Sequence, residues 1–147
     1  HAMAVLREHP EAKMWAMDMD QDAIDYGQVH FAAEIAAGRL TLIRSPYVRF
    51  PEIRAERADF PREFDAMLLD LGVSSPQLDR ADRGFSFYND GPLDMRMDQS
   101  QEATAADVIN EWPEQDLARL FIEYGEVSRP YRVVRAIAHD RKARPFR

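Results

Sequence analysis

Two acidic residues follow short apolar runs, and they are the first sign of chemistry in this sequence. Asp70 comes directly after Ala-Met-Leu-Leu at residues 66–69, and Asp18 comes directly after a similar run at residues 13–17. The run before Asp70 is typical of a strand buried on both faces of a parallel sheet. Because ligands bind beyond the carboxyl ends of such strands, these carboxylates predict a ligand-binding crevice. The alternative is an ordinary buried strand followed by a polar turn.

The elements that would position these acids alternate between strand and helix. Asp20 is a good helix N-cap, and Gly38 stands where a helix-terminating glycine belongs. The pattern predicts strands at residues 13–17, 40–43 and 66–69, with helices at 20–37 and 50–58 between them. Strands and helices that alternate at these lengths indicate βαβ units, and therefore an α/β protein with a parallel sheet.

The strand signal disappears beyond Gln77. Residues 79–101 read as a long loop rich in turn residues, which in a compact protein is usually functional or disordered. Three short helices are expected next, at residues 104–112, at 113–124 and from 128 onward, with Thr104 as an N-cap. This second half therefore looks like a separate helical element.

Composition excludes several classes of protein. The 147 residues include no Cys, so disulfides and thiolate metal sites are ruled out, and none of the four His residues pair at metal-ligand spacing. No run approaches the ~20 apolar residues of a membrane span. With 46% hydrophobic residues, the chain is long enough for one soluble domain, or for one domain and part of another.

Charge is distributed unevenly along the chain. The net charge of −7 argues against a protein that coats nucleic acid nonspecifically. Residues 128–147 nevertheless hold seven Lys or Arg and one acid, a net charge of +6, whereas residues 1–127 carry −13. Arg132 and Arg135 are three positions apart and could share a helix face that contacts RNA phosphates. The alternative is a solvated helix face.

Four motifs resemble one family. They are Asp-Leu-Gly-Val-Ser-Ser-Pro-Gln-Leu-Asp at 70–79, Arg-Gly-Phe-Ser-Phe at 83–87, Asp-Gly-Pro-Leu-Asp-Met-Arg-Met-Asp at 90–98 and Tyr-Gly-Glu at 124–126. In this order they are similar to the MraW/RsmH family. These are S-adenosylmethionine-dependent methyltransferases that modify the N4 amino group of a cytosine in small-subunit ribosomal RNA. The resemblance covers nearly the whole chain.

The resemblance implies a fold. It is an α/β fold with a Rossmann-like class I methyltransferase sheet, interrupted after its fourth strand by an inserted helical domain. We expect residues 1–77 to be part of the methyltransferase domain and residues 78–147 to be the connecting loop and part of the helical, substrate-recognising domain. The family's glycine-rich cofactor loop ends in Gly-Gly-His, and this sequence begins at that His. We therefore expect a fragment that neither transfers methyl groups nor binds the cofactor at micromolar concentration by itself.

The resemblance also implies the residues that contact S-adenosylmethionine, namely His1, Asp18, Tyr47, Asp70 and Gln77. A carboxylate can accept both ribose hydroxyls, and Asp18 is preferred for this over Asp20, which also suits a helix cap. Tyr47 is expected to stack on the adenine. Asp70 is the candidate catalytic residue, although another group could serve the base. No metal is implied.

The target base must also be held outside its stack. Phe85, Phe87 or Tyr88 could supply aromatic faces for it, or could instead pack between the two domains. The expected partner is small-subunit ribosomal RNA in the bacterial cytoplasm, with an organelle matrix and a homo-oligomer left open. Two other functions remain as alternatives, a nicotinamide-dependent oxidoreductase and a non-enzymatic RNA-binding or assembly module.

Overall fold

The computed structural model describes all residues His1–Arg147, and the chain forms two compact units. The first unit comprises His1–Asp70 with Met97–Gln99, and the second comprises Leu71–Arg96 with Ser100–Arg147. The first unit ends before the boundary at residue 77 that the sequence predicts, so the extent of the helical domain stays a prediction. No helix is long and apolar enough to cross a membrane.

The first unit is a small α/β arrangement. Its elements are α1 (Ala2–Glu8), β1 (Met14–Asp18), α2 (Gln21–His30), α3 (Ala32–Ala36), β2 (Leu40–Arg44) and α4 (Phe50–Glu56), with a 3₁₀ turn at Tyr47–Arg49. The two strands pair in parallel, in a register that runs from Met14 opposite Leu40 to Asp18 opposite Arg44. The βαβ unit predicted from the sequence is therefore confirmed.

Close packing and local capping place the helices of this unit. Gly27 of α2 lies against Leu42 of β2, and a Cβ added at Gly27 would stand 2.8 Å from the leucine Cδ1. Asp20 caps α2 and Gly38 takes a positive φ of 67° after α3, as predicted. The single helix expected over residues 20–37 is divided at Phe31, whose backbone leaves the helical region.

The core of the first unit lies between the sheet and α4. Ile43, Ile53 and Phe60 are buried, and Trp15, Met17 and Phe50 pack against them. The rings of Trp15 and Phe60 meet edge to face at a centroid distance of 6.2 Å. This packing fixes β1 and β2 from one side, so the positions of the residues at their carboxyl ends are determined by the core.

The strand predicted at residues 66–69 is wrong in this chain. The sheet contains β1 and β2 alone, and residues 66–71 form neither strand nor helix. Met67, Leu68 and Leu69 are 60–67% exposed, not buried. A strand needs a neighbour for its backbone N–H and C=O groups, and no third strand of this chain pairs with the run. The fold is therefore mixed α/β with a small parallel sheet.

The second unit begins with α5 (Ser75–Asp79), a 3₁₀ turn at Ala81–Arg83 and a long irregular loop. The Arg83 side chain is 1% exposed, and its Nη2 donates to the Arg96 carbonyl at 3.1 Å. The Met95 N–H donates to the Arg83 carbonyl at 3.1 Å. These contacts fold residues 83–96 back on themselves, so the loop is ordered by hydrogen bonds rather than by regular structure.

Three helices complete the second unit, α6 (Ala105–Glu111), α7 (Glu114–Glu123) and α8 (Pro130–Ala143). All three were predicted from the sequence, and Thr104 caps α6 in a capping box with Asp107. Leu117, Ala118 and Val134 form a buried cluster where α7 meets α8. A hydrophobic face on each helix thus gives this unit a core of its own.

Candidate functional site

The carboxyl ends of β1 and β2 form one edge, because the strands are parallel and in register. Asp18 is the last residue of β1 and lies opposite Arg44, the last residue of β2. The Asp18 side chain is exposed there, and its Oδ1 accepts the N–H of Asp20 at 2.9 Å. The backbone carbonyl of Asp18 accepts the Ser45 N–H at 2.9 Å, which extends the pairing into the turn after β2.

Asp18 and Asp20 differ in what they are free to do. Asp20 is 5% exposed, and its Oδ1 accepts the Asp22 N–H at 3.0 Å at the start of α2. Its carboxylate therefore serves as the helix cap. Asp18 keeps its Oδ2 without a protein donor at the exposed edge of the sheet. The choice of Asp18 over Asp20 as the ligand-binding acid stays a prediction, and Asp18 is the one of the two that does not cap the helix.

Tyr47 lies at the same edge, in the 3₁₀ turn that follows β2. Its side chain is 57% exposed, so its ring is accessible to a ligand. Arg44 and Asp98 form an ion pair of 2.7 Å between Nη2 and Oδ1 near this turn. A carboxylate that can accept two hydroxyl donors and an accessible aromatic ring fit the ribose and the base of a nucleoside, so these residues suit an adenosyl cofactor.

His1 and Asp70, two further predicted cofactor contacts, are close together. His1 Nδ1 lies 3.1 Å from Asp70 Oδ2. Both side chains are largely exposed, at 67% and 73%, so the pair contributes little to stability. An exposed acid of this kind is available to a ligand, and nothing in the fold depends on it.

Gln77 lies in the second unit and is 6% exposed. Its Oε1 accepts the Ser74 N–H at 2.9 Å in the capping box of α5. This side chain therefore has a structural task, and a Ser three residues before a Gln is the sequence signature of such a cap. Its contact with the cofactor remains a prediction.

The arginines of residues 128–147 differ in the contacts that they make. Arg132 and Arg135 are exposed on α8, whereas Val134 is fully buried between them in sequence. The two arginines are therefore on the solvent side of the helix, and neither forms an ion pair. Arg141 differs because its Nη1 donates to the carbonyls of Ile109 and Trp112 at 3.0 and 2.9 Å. Arg141 therefore binds backbone carbonyls at the end of α6 and is not a candidate RNA contact.

Asp94 and Arg96 form a contact that sequence reasoning missed. Arg96 Nε and Nη2 donate to the two carboxylate oxygens of Asp94 at 3.0 and 2.6 Å, a bidentate pair. This hydrogen bonding holds the pKa of Asp94 below its usual value. The Thr104 hydroxyl similarly lowers the pKa of Asp107 by donating to it. In the sequence, Asp94 precedes Arg96 by two residues, and Asp107 follows Thr104 by three. These short spacings are the signal by which such contacts could be found.

Metal chemistry has no visible basis in this chain. No group of three or more His, Asp or Glu side chains lies close enough to hold a metal ion.

A mixed α/β unit with a small parallel sheet, and with an exposed acid at its carboxyl edge, fits a methyltransferase fold. A model of the MraW methylase family matches residues 1–147, and the chain belongs to this family. The resemblance found in the sequence is thereby confirmed.

Several relatives are named ribosomal RNA small subunit methyltransferase H. The protein of Bdellovibrio bacteriovorus is 51% identical over 146 residues, which are 99% of this chain and 43% of that protein. The protein of Lactiplantibacillus plantarum is 45% identical over 92% of this chain and 42% of its own length. The protein of Synechocystis is 60% identical over 57% of this chain and 28% of its own length. The chain thus spans less than half the length of these relatives.

Proposed function

We propose that the protein to which this chain belongs is an S-adenosylmethionine-dependent methyltransferase that acts on the exocyclic N4 of a cytosine in small-subunit ribosomal RNA. Family membership and the names of the relatives support the class of reaction and the RNA substrate. The observation that carries the proposal is the edge of the sheet, where the exposed carboxylate of Asp18 and the accessible ring of Tyr47 follow neighbouring parallel strands.

In this proposal the chain's own residues bind and orient the cofactor. Asp18 accepts the ribose hydroxyls through its Oδ2, and Tyr47 stacks on the adenine. His1, Asp70 and Gln77 complete the contacts that the family resemblance implies. The units would belong to a Rossmann-like sheet and an inserted helical domain, with further strands supplied by sequence outside these residues.

The chemistry demands positioning more than acid or base strength. S-adenosylmethionine supplies a methyl group that its positive sulfur already activates, so the protein must hold the amine about 3 Å from it and in line. The lone pair of a cytosine amine is delocalised into its ring. A carboxylate that accepts an N–H of that amine would localise electron density on nitrogen as the new bond forms. Asp70, exposed and tied only to His1, is the proposed group.

Two observations weigh against the alternatives. A nicotinamide-dependent oxidoreductase would share the βαβ unit and the acid at Asp18, but the family match over the whole chain does not favour it. A non-enzymatic RNA-binding module would need the basic face of α8 but no exposed acid at the edge of a sheet. In the same proposal, Arg132 and Arg135 contact RNA phosphates. The enzyme acts in the bacterial cytoplasm, where its ribosomal substrate is.

The experiment that tests the cofactor site compares two acid-to-amide changes. These 147 residues would replace the matching segment of the 51%-identical relative, and S-adenosylmethionine would be titrated calorimetrically into the chimera. Asp18→Asn removes one charged acceptor and should weaken binding about tenfold to a hundredfold. Asp20→Asn is the matched control, because Asn caps helices as well as Asp does. Equal affinities for the chimera and its Asp18→Asn variant would remove Asp18 from the site.

A further inference from the structure

Two neighbouring aromatic side chains stand at the tip of the long loop in the second unit. Phe87 is 96% exposed and Tyr88 is 98% exposed. The sequence leaves two roles open to them, holding a base or packing between the two domains, and within this unit both rings are in solvent. An aromatic side chain that is buried removes about 150–250 Å² from water, so leaving two adjacent rings in solvent forgoes a large stabilisation. Single exposed apolar residues are common, but an adjacent pair at a loop tip is a mark of binding.

The backbone that carries these rings is held in place. Ser86 Oγ accepts the N–H groups of Tyr88 and Asn89 at 3.3 and 3.0 Å. The loop returns close to its starting point at Gly91, where an added Cβ would clash with the Ala81 carbonyl oxygen. Because hydrogen bonds and close packing already order the tip, a ligand that binds there pays little for ordering it.

Charged side chains of both signs, including two arginines, surround the rings. A cavity of about 390 Å³ beside the tip has Phe87, Tyr88, Asn89, Asp90 and Arg147 in its lining. A neighbouring groove of about 750 Å³ is lined by Arg144 and Arg147, together with Asp90 and Asp140. Both arginines belong to the segment 128–147, whose net charge is +6. Aromatic faces next to arginines in a groove are the combination that binds single-stranded nucleic acid.

We infer that Phe87 and Tyr88 form a stacking platform for an unpaired base of a single-stranded RNA, with Arg144 and Arg147 against the adjoining phosphates. This inference rests on the proposed function and deepens it, because a base that is to be methylated must first leave its stack. Stacking uses the π-face that every base presents, so the platform positions the strand and does not select its sequence. It acts independently of the contacts proposed for Arg132 and Arg135.

The test uses the chain of 147 residues and a labelled single-stranded RNA oligonucleotide, with binding followed by fluorescence anisotropy. Replacing both rings by leucine (Phe87→Leu with Tyr88→Leu) keeps apolar side chains but removes the π-faces. The dissociation constant should rise by about tenfold or more. Replacing both by tryptophan should restore or improve affinity. Tyr124→Leu is the control, because Tyr124 is 82% exposed in the same unit but lies outside the cavity.

A second readout reports the stacking itself. An RNA that carries 2-aminopurine should lose fluorescence when it binds the unchanged chain and should lose none with the leucine pair. Circular dichroism should show unchanged folding, since both rings are in solvent. Unchanged RNA affinity of the leucine pair overturns the platform, and so does an equal loss with Tyr124→Leu.

The outcomes separate this inference from the proposed function. If neutralising Arg132 and Arg135 weakens RNA binding while the leucine pair does not, the platform is wrong and the RNA contact on α8 stands. If the leucine pair changes only the sedimentation of the chain, the rings belong to an interface between copies and the platform is again wrong. The calorimetric titration of the chimera judges the cofactor site separately from both results.

Discussion

Neutralising Arg132 and Arg135 together is expected to weaken RNA binding and to make it less sensitive to salt. Both side chains are exposed on α8, opposite the buried Val134, and neither forms an ion pair. They are therefore free to contact phosphates, and the change Arg132→Gln with Arg135→Gln should leave the helix and its packing intact. Lost phosphate contacts should appear in the salt dependence, since each contact releases counterions.

The magnitude follows from counterion release. Each phosphate contact on a single strand contributes about 0.7 to the slope of log affinity against log salt, so two contacts contribute about 1.4. When the salt concentration is raised about fourfold, the RNA affinity of the unchanged chain should fall about sevenfold more than the affinity of the variant does. Fluorescence anisotropy with a short RNA, repeated across a salt series, measures this difference directly.

A control with the same change in net charge separates a local contact from a general electrostatic effect. Arg119→Glu changes the charge as much as the double neutralisation does, and Arg119 lies on α7 with 69% of its side chain exposed. Its slope should match that of the unchanged chain. The phosphate contact of Arg132 and Arg135 would be refuted if the α8 variant kept the salt slope of the unchanged chain, or if Arg119→Glu decreased the slope equally. This face of α8 would then be an ordinary solvent-exposed helix face.

Three further predictions concern the structure of the chain. Leu117→Ala empties a fully buried position in the second unit and should lower the free energy of unfolding by about 2–5 kcal/mol in urea denaturation. Gly84→Ala should lower the melting temperature more than Gly38→Ala does. Both glycines have a positive φ, but of the two only Gly84 would bring its added Cβ close to a backbone oxygen, at 2.5 Å. Equal shifts in melting temperature would contradict the packing of the loop. The pKa of Asp94 is held down by Arg96, so its contribution to stability is present above about pH 4 and is lost as the pH falls through its folded-state pKa. The melting temperatures of the unchanged chain and of the Asp94→Asn variant should therefore converge as the pH is lowered from 7 to 3. A difference in melting temperature that stays constant over this range would contradict the prediction.

Helix ends were predictable because their chemistry is local in sequence. Asp20 caps α2 and Thr104 caps α6 with side chains that reach backbone groups two or three residues away. The prediction of a strand at residues 66–69 failed for the opposite reason. An apolar run records only that a segment can be buried, whereas a strand exists only if a partner from elsewhere pairs with it.

The candidate site was predictable in part for the same physical reasons. The sequence indicated that Asp18 ends a strand, and the parallel register then places Asp18 and Tyr47 at one edge. Sequence alone did not show that Gln77 is occupied by its own helix cap. It also could not show the role of Arg83, whose contact with the carbonyl of Arg96 spans thirteen positions and depends on how the loop folds.

We propose that this chain supplies the cofactor edge and the candidate reactive acid, Asp70, of a ribosomal RNA methyltransferase. The most direct measurement is transfer of labelled methyl from S-adenosylmethionine to small-subunit RNA by the chimera, followed by nucleoside analysis. We expect the label in N4-methylcytidine, and we expect Asp70→Ala to remove most of it while the melting temperature barely changes, because Asp70 is largely exposed. Label in another nucleoside, or full activity of the Asp70→Ala variant, would contradict the account.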